Sequence, residues 1–215
     1  MNIVHFVRHG ENPANLTREF SHRVVDYPLT ERGVAQAQAT ARHFRGQPIA
    51  AIYSSPLRRA QQTAEIIGEA LELPVQRIEA FREVNVGRLE LLPPTEEHWA
   101  LHDRILAEWF GGQASSCFPD GEDHTTLVRR VQAGLVEALH DRDEQQIVIV
   151  AHGGILAATI SSFCANISIG LDGKMPLIPN CAITRLRLDA TNGVARGAVE
   201  AWAECDHLSG CDERR

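Results

Sequence analysis

Short runs of apolar residues alternate along the chain with longer segments in which apolar residues recur every three or four positions. The short runs are typical of β-strands, and the longer segments are typical of helices with one buried face. We predict strands over 2–7, 49–53, 74–78, 147–151, 182–188 and 198–203. We predict helices over 30–45, 56–71 and 96–109, and a fourth helix that is capped by Asp123 or Thr125 and runs to residue 138. The continuous aliphatic run at 147–151 favours a central strand that is buried on both faces.

The order of these elements predicts the fold class. Strands that alternate with helices indicate an α/β protein with three layers, α/β/α, around a mostly parallel central sheet. Asn192 and Gly193 are typical of a hairpin turn, so we expect an antiparallel element near the end of the chain. No linker rich in Gly, Ser or Pro divides the sequence, which predicts a single domain over 1–215, with 85–120 as a lid or substrate-wall insertion.

Composition and charge exclude several classes of protein. The chain has 215 residues, of which 44% are hydrophobic and 23% charged, and these values are typical of a globular protein rather than a disordered one. Its formal net charge is −7, whereas proteins that bind the phosphates of nucleic acids are usually basic, so we expect no nucleic-acid partner. The five cysteines form no Cys-x-x-Cys pair and predict neither a disulfide framework nor a zinc site.

The segment 147–171 contains no Asp, Glu, Lys or Arg and is long enough to cross a bilayer. His152, Gly153 and Gly154 lie inside it, which favours a buried strand, a turn and a buried helix instead. The first residues do not resemble a secretory leader. We therefore expect no membrane partner and a cytoplasmic location, while the oligomeric state stays open, a homodimer included.

Polar clusters follow three of the predicted strands: Arg8-His9-Gly10-Glu11, Ser54-Ser55-Pro56-Leu57-Arg58-Arg59 and His152-Gly153-Gly154. Ligands of such sheets bind beyond the carboxyl ends of the strands. If these strands are neighbours, two imidazoles and at least two guanidinium groups meet in one pocket. Phosphate is the ligand that suits them best, because planar guanidinium groups match its oxygens and glycine amides can approach it closely.

Five ordered motifs resemble those of the histidine phosphatase superfamily, also called phosphoglycerate mutase-like. They are Arg8-His9-Gly10-Glu11 with Asn15; Asp26-x-Pro28-Leu29-Thr30-x-x-Gly33; Ser54-Ser55-Pro56-Leu57-x-Arg59-Ala60-x-x-Thr63-Ala64; Arg82-Glu83 with Gly87; and His152-Gly153-Gly154. Weaker features match at Pro119-x-Gly121-Glu122 and His207-Leu208. The resemblance is collinear and spans almost the whole chain.

The resemblance implies that His9 is a nucleophile that becomes a phosphohistidine and that Glu83 donates a proton to the leaving alcohol. It also implies that Arg8, Arg59 and His152 hold the transferred phosphoryl group. Asn15 and the Gly153 amide would make secondary contacts with it. These roles suit phosphoryl transfer, because preorganised cations and amides stabilise the charge that spreads over three oxygens in the transition state. Guanidinium groups supply the positive field, so we expect no metal and no cofactor.

Two of these assignments have rivals close by in the sequence. Arg58 adjoins Arg59, and adjacent helical residues point about 100° apart, so only one of them can face the pocket. The family register favours Arg59. Glu79 and Glu90 are the alternatives to Glu83 as the acid.

His98 and His102 are spaced as two metal ligands on a helix would be. Trp99 stands where a zinc protease has its catalytic Glu, so that motif is incomplete. We expect a helix side that faces solvent or substrate rather than a metal site.

Three positions depart from the family pattern. Asn12 stands where relatives commonly have Ser or Thr, so we expect it to contact substrate in a different way. The segment 87–91 lacks a usual glycine, and Ala157 replaces a frequent Arg. These changes leave the phosphoryl-handling residues intact and put the identity of the substrate in doubt.

The resemblance implies a metal-independent phosphomonoesterase that hydrolyses a small phosphorylated metabolite. The alternative within the same chemistry is a cofactor-dependent phosphoglycerate mutase. Such mutases commonly have a longer middle segment and an Asn where this chain has Gly154, which favours the phosphatase. A non-catalytic phosphate-binding module is a third hypothesis, and it predicts loss of His9 or Glu83, both of which are present.

Overall fold

The computed structural model describes residues 1–168 and 176–211. Six strands form one sheet: β1 (Asn2–Arg8), β2 (Ile49–Ser54), β3 (Val75–Arg77), β4 (Gln146–Ala151), β5 (Ile183–Thr191) and β6 (Val194–Glu204). Their order is β3-β2-β4-β1-β5-β6, with β3, β2, β4 and β1 parallel and the last two strands antiparallel. The predicted mixed sheet with a parallel centre is confirmed.

The α-helices of the described residues are α1 (Pro13–Thr17), α2 (Glu31–Phe44), α3 (Arg58–Leu71), α4 (Glu96–Phe110), α5 (His124–Leu139) and α6 (Gly153–Thr159). Successive residues of β4 point to opposite faces of the sheet, and helices pack on both faces. Val148 and Val150 pack in one core with residues of α2 and α3. Ile147 and Ile149 pack in the other core with residues of α4, α5 and α6. The result is the predicted α/β/α arrangement.

Polar side chains cap the helices where the sequence predicts. Thr30 accepts a 3.0 Å hydrogen bond from the Gly33 amide at the start of α2. Asp123, rather than Thr125, caps α5 by accepting from the Thr126 amide at 2.7 Å. Such caps satisfy amides that the first turn of a helix leaves free.

Two helical predictions need correction. α3 begins at Arg58 rather than at Pro56, because Leu57 has an extended backbone and the Arg58 amide donates to Asp26 at 2.8 Å. The short helix α1 was not predicted. Asn12 caps it and Pro13 occupies its first position, which is a typical helix start on too short a segment to show periodicity.

The uncharged segment 147–171 forms β4, followed by α6 directly after His152, so the predicted turn is wrong. Residues 169–171 of this segment lie outside the described residues. No described helix is both long enough and apolar enough to cross a membrane. The hairpin prediction holds: Asn192 and Gly193 have φ of 53° and 75°, which is the left-handed geometry that such a turn requires.

Candidate active site

The register of the parallel strands brings the predicted polar clusters to one edge of the sheet. Arg8 at the end of β1 pairs with Ala151 at the end of β4, and Ser54 at the end of β2 pairs with the residue before Ala151. The three strands therefore end at nearly the same level. His9 and His152 follow β1 and β4, and their ring centroids lie 5.2 Å apart.

His9 is 3% exposed and is held as a neutral ring. Its Nδ1 atom lies 2.7 Å from the carbonyl oxygen of Gly10, and because a carbonyl only accepts, Nδ1 carries the proton. Nε2 accepts a hydrogen bond from Nε of Arg59 at 3.0 Å. Burial, together with the charges of Arg59 and Arg8, holds the pKa of His9 well below its usual range. The free electron pair therefore lies on Nε2, as a nucleophile requires.

His152 is fully buried and has the opposite tautomer. Its Nδ1 atom lies 3.2 Å from Nη2 of Arg59, and since a guanidinium only donates, Nδ1 accepts. Nε2 carries the proton and donates to the Ser55 hydroxyl at 2.7 Å. Burial, reinforced by the nearby Arg59 charge, holds the pKa of His152 well below its usual range.

Arg59, rather than Arg58, faces the site. Its side chain is buried, and it donates to the hydroxyl and the carbonyl oxygen of Ser21 at 2.8 and 2.9 Å. Burial lowers the pKa of Arg59 to about 10, so the group stays charged at neutral pH. Arg58 is exposed at the surface.

Two buried donors beside these residues have no acceptor within the described residues: Nε of Arg8 and Nδ2 of Asn12. Both side chains line the same cavity as His9. The Arg8 guanidinium is fixed by donation from Nη1 to the carbonyl oxygen of Ile178. An unsatisfied buried donor costs free energy, so two of them next to a buried cation suit a group with anionic oxygen acceptors, such as a phosphoryl group.

Asn15 and Gly153, the expected secondary contacts, also line the cavity. The Asn15 side-chain oxygen accepts from the Asn12 amide and from Nδ2 of Asn180, both at 3.1 Å. Nδ2 of Asn180 donates to the carbonyl oxygen of His9 as well, at 3.0 Å. These contacts anchor the loop that follows β1.

Glu83 approaches the site from the loop after β3. Its carboxylate accepts hydrogen bonds from the amides of Val84, Gly154 and Ile155 at 2.9, 3.2 and 3.0 Å. A Cβ atom on Gly154 would lie 2.5 Å from Oε1 of Glu83. The carboxylate therefore occupies this position only because residue 154 has no side chain.

Arg130 of α5 holds the chain segment that carries Glu83. Its guanidinium donates to the carbonyl oxygens of Ala80, Arg82 and Glu83 at 2.8, 2.7 and 3.0 Å. Glu122 accepts from the same guanidinium at 2.7 and 2.9 Å. Because one planar group binds three carbonyls, the backbone of Glu83 is fixed relative to α5.

The two rival acids lie elsewhere. Glu79 is exposed and pairs with Arg82 at 2.6 Å. One carboxylate oxygen of Glu90 accepts from the four amides of residues 22–25 at 2.5 to 3.2 Å. Glu90 thus shapes the loop that follows Ser21, the partner of Arg59. Neither acid lines the cavity, and Glu83 does.

The cavity has a volume of about 310 Å³. Arg8, His9, Asn12, Asn15, Arg59 and Glu83 are among its polar lining residues, whereas His152 lies buried behind them and is not among the described residues that line it. Its walls are largely apolar and come from the loop after α1, from the segment 84–106 and from the residues before β5: Phe20, Val84, Val86, Trp99, Leu106, Leu177 and Ile178. The expected substrate-wall segment 85–120 thus supplies part of the lining.

His98 and His102 do not act as a pair. Nδ1 of His98 lies 2.7 Å from the carbonyl oxygen of Pro93, whereas the His102 ring packs against Phe20 and Trp99 with centroids 5.5 and 4.9 Å away. Over residues 1–168 and 176–211, no three or more His, Cys, Asp or Glu side chains cluster as metal ligands would.

Sequence reasoning missed four residues that hold the site together: Ser21, Ser55, Asn180 and Arg130. Ser55 lies inside a recognised motif, and its position directly after β2 was the available signal. The other three reach the site from loops or a helix distant in sequence, and no local pattern marks them.

Comparisons with known proteins find similarity along almost the whole chain. A family model described as the histidine phosphatase superfamily (branch 1) matches residues 4–200. The protein named "Probable phosphoglycerate mutase GpmB" of Yersinia pestis (strain Pestoides F) is 33% identical over 214 residues, which cover 95% of this chain and 94% of that one.

Solved structures share the fold. Bacillus stearothermophilus YhfR is 25% identical with a TM-score of 0.76, over 97% of this chain and all of that chain (100%). A phosphoserine phosphatase mutant from Entamoeba histolytica in complex with phosphoserine is 25% identical with a TM-score of 0.73, over 97% and 100% of the two chains. A mycobacterial glucosyl-3-phosphoglycerate phosphatase is 25% identical with a TM-score of 0.76, over 94% and 99%. The chain belongs to the histidine phosphatase superfamily.

Proposed function

We propose that the protein is a metal-independent phosphomonoesterase that hydrolyses a small phosphorylated metabolite through a phosphohistidine at His9. One observation carries the proposal. His9, whose unprotonated Nε2 carries the electron pair, lines a cavity that is also lined by Arg8 and Asn12, each of which has a buried donor without an acceptor within the described residues. These groups match a nucleophile and the oxygens of a phosphoryl group.

In the first step Nε2 of His9 attacks phosphorus, an N–P bond forms, and the P–O bond to the alcohol breaks. Attack requires Arg59 to move its hydrogen bond from Nε2 of His9 to a phosphoryl oxygen, where the guanidinium charge stabilises the negative charge of the phosphoryl group. The proton on Nδ1 stays with the Gly10 carbonyl, which holds the ring in place. Arg8 and Arg59 donate to equatorial oxygens of the phosphoryl group, and His152 takes the third by turning its Nε2 proton from the Ser55 hydroxyl to that oxygen.

Glu83 serves both steps. In its protonated form it gives this proton to the departing alcohol oxygen, which takes the electron pair of the broken P–O bond, and Glu83 is left as a carboxylate. A water molecule then attacks phosphorus, its proton passes to the Glu83 carboxylate, and the N–P bond breaks to release phosphate and neutral His9. The position of Glu83 in the same cavity supports this role.

The second candidate is a cofactor-dependent phosphoglycerate mutase, which the name of the Yersinia relative favours. Gly154 argues against it. Mutases of the family commonly have Asn at this position, and any side chain there would meet the Glu83 carboxylate. The two activities differ in the fate of the phosphohistidine, which a phosphatase gives to water and a mutase returns to an alcohol.

One experiment tests the proposal. Purified protein is assayed for release of inorganic phosphate from p-nitrophenyl phosphate in chelator-containing buffer, and for conversion of 3-phosphoglycerate with and without its bisphosphate primer. We expect phosphate release in the presence of chelator. Complete dependence on added divalent metal, or primer-dependent isomerisation without hydrolysis, would overturn the proposal.

A further inference from the structure

We propose that the organic part of the substrate is an uncharged, apolar group, such as an aryl or aralkyl alcohol, and not a carboxylate-bearing metabolite. This inference rests on the proposed phosphomonoesterase function and names the substrate class of the same site. The observations that carry it are the walls of the cavity and the charges that line it.

Aromatic side chains form one wall. Phe20 is 5% exposed, and its ring centroid lies 4.4 Å from that of Trp99 at an interplanar angle of 31°. Trp99 is fixed at its polar end, because Nε1 donates to the carbonyl oxygen of Arg18 at 3.1 Å, and the Arg18 guanidinium stacks on its ring. A wall fixed before binding loses little conformational entropy when an apolar ligand packs on it.

Aliphatic side chains face the same space. Val84, Val86 and Leu106 are each nearly fully buried, and Leu177 at the rim is 85% exposed. Packing an apolar group here removes hydrophobic surface of the ligand from water, which favours binding. A polar chain such as glyceric acid would lose hydration against these residues without gaining hydrogen bonds.

The charges of the residues that line the cavity also favour an uncharged organic group. Among the residues that the structure describes, the guanidinium and ammonium groups that line the cavity are those of Arg8 and Arg59, and the phosphoryl group uses both. Burial lowers the pKa of His102, so its imidazole adds no charge at neutral pH. Glu19 also lines the cavity and would repel a substrate carboxylate.

Three phosphate esters of primary alcohols test the proposal: 2-phenylethyl phosphate, glycerol 3-phosphate and 3-phosphoglycerate. Their leaving groups have similar reactivity, so differences in kcat/KM report how the organic part is bound. We expect 2-phenylethyl phosphate to exceed glycerol 3-phosphate by about tenfold or more, as burial of an aromatic ring predicts. We expect 3-phosphoglycerate to be the slowest of the three.

Two variants test whether Trp99 and Glu19 cause this substrate preference. Trp99→Ala should lower the ratio of kcat/KM for the phenylethyl ester over the glycerol ester by at least about fivefold, because an aromatic contact is lost. Glu19→Gln should raise kcat/KM for 3-phosphoglycerate selectively. Glu65→Gln makes the same charge change on the exposed face of α3, outside the cavity, and should not alter the ratios.

The outcomes separate this inference from the proposed function. Equal rates for the three esters, a preference for 3-phosphoglycerate, or unchanged ratios in both variants would overturn the substrate class while leaving a phosphatase. Failure to hydrolyse any of these esters and p-nitrophenyl phosphate would overturn the phosphatase itself.

Discussion

Nε of Arg59 lies 3.0 Å from Nε2 of His9 and donates a hydrogen bond to it. The electron pair that attacks phosphorus in the proposed reaction is thus hydrogen-bonded to a fixed cation, and Nδ1 on the other side of the ring is hydrogen-bonded to the Gly10 carbonyl oxygen. The contact has two consequences. It keeps the ring neutral by disfavouring a second proton, and it places the guanidinium beside the nitrogen at which the proposed reaction brings in the phosphoryl group.

The first prediction concerns the covalent intermediate. Brief mixing with a phosphate ester, followed by denaturation, should yield phosphoprotein that is labile in acid and stable in base, as a phosphohistidine is. His9→Ala should lose this label and lower kcat by roughly 10⁴-fold or more, because removing a nucleophile removes the reaction path. His140→Ala, which changes an exposed histidine, should keep both. Normal turnover without the label would contradict the role of His9.

The second prediction concerns Glu83. Glu83→Gln should lower kcat by roughly 10²- to 10⁴-fold for alkyl esters, whose alkoxides need a proton. The loss should be much smaller for p-nitrophenyl phosphate, since nitrophenolate leaves without one. Glu79→Gln alters the exposed rival acid and should affect neither substrate. Equal losses for the two ester types in Glu83→Gln would show that Glu83 is not the acid.

The position of Glu83 depends on Arg130, a residue that does not itself contact the substrate. Its guanidinium holds the carbonyl oxygens of Ala80, Arg82 and Glu83, and it is itself held by the buried carboxylate of Glu122. Removal of the charge would leave Glu122 buried and unpaired, which is costly. Lysine keeps the charge but cannot bind three carbonyls in one plane.

The third prediction therefore uses Arg130→Lys. Displacement of the acid by a fraction of an ångström should lower kcat for alkyl esters by roughly 10- to 100-fold, with KM nearly unchanged. p-Nitrophenyl phosphate should be affected less, as in Glu83→Gln. Arg129→Lys, one position earlier on α5 and exposed, is the matched control. A loss that is equal for all leaving groups would indicate a general structural defect instead.

Much of the fold could be predicted because its patterns are local. The continuous run in β4 and the three- and four-residue spacing in α3 report burial directly. The start of α3 could not be predicted in the same way, since it depends on Asp26, which lies 32 residues before the amide it accepts from. α1 is too short for its periodicity to be read.

Some residues of the candidate site could likewise be predicted from the sequence, and others could not. His9 and His152 follow adjacent parallel strands, so topology alone brings them together. Ser21 and Asn180 reach the site only through the tertiary packing of long loops, and nothing in their neighbours indicates it. The assignment of Glu83 rather than Glu90 as the acid likewise rests on the family resemblance, and the structure adds that Glu90 binds four loop amides.

His207 should make stability depend on pH. Its Nε2 atom lies 3.2 Å both from the Thr40 hydroxyl and from the Cys181 carbonyl oxygen. Burial lowers the pKa of His207 to about 4, and the adjacent His43 ring adds to this, while Asp206 opposes it. In the unfolded chain the pKa returns to about 6.5. Below that value the unfolded state binds a proton that the folded state does not, so stability is complete above pH 6.5 and is lost as the pH falls toward 4.

The fourth prediction is measured as the free energy of unfolding in urea at pH 7.5, 6.0, 5.0 and 4.5. The wild-type value should fall steadily below pH 6.5, by at most about 1.4 kcal/mol per pH unit for each fully shifted histidine and by less for the half-buried His207. His207→Gln keeps an amide donor near Cys181 but cannot titrate, so its curve should be shallower. Because the pKa values of His9 and His152 are also lowered, the variant should retain part of the slope. Identical slopes for the two proteins would show that His207 contributes nothing to the acid sensitivity.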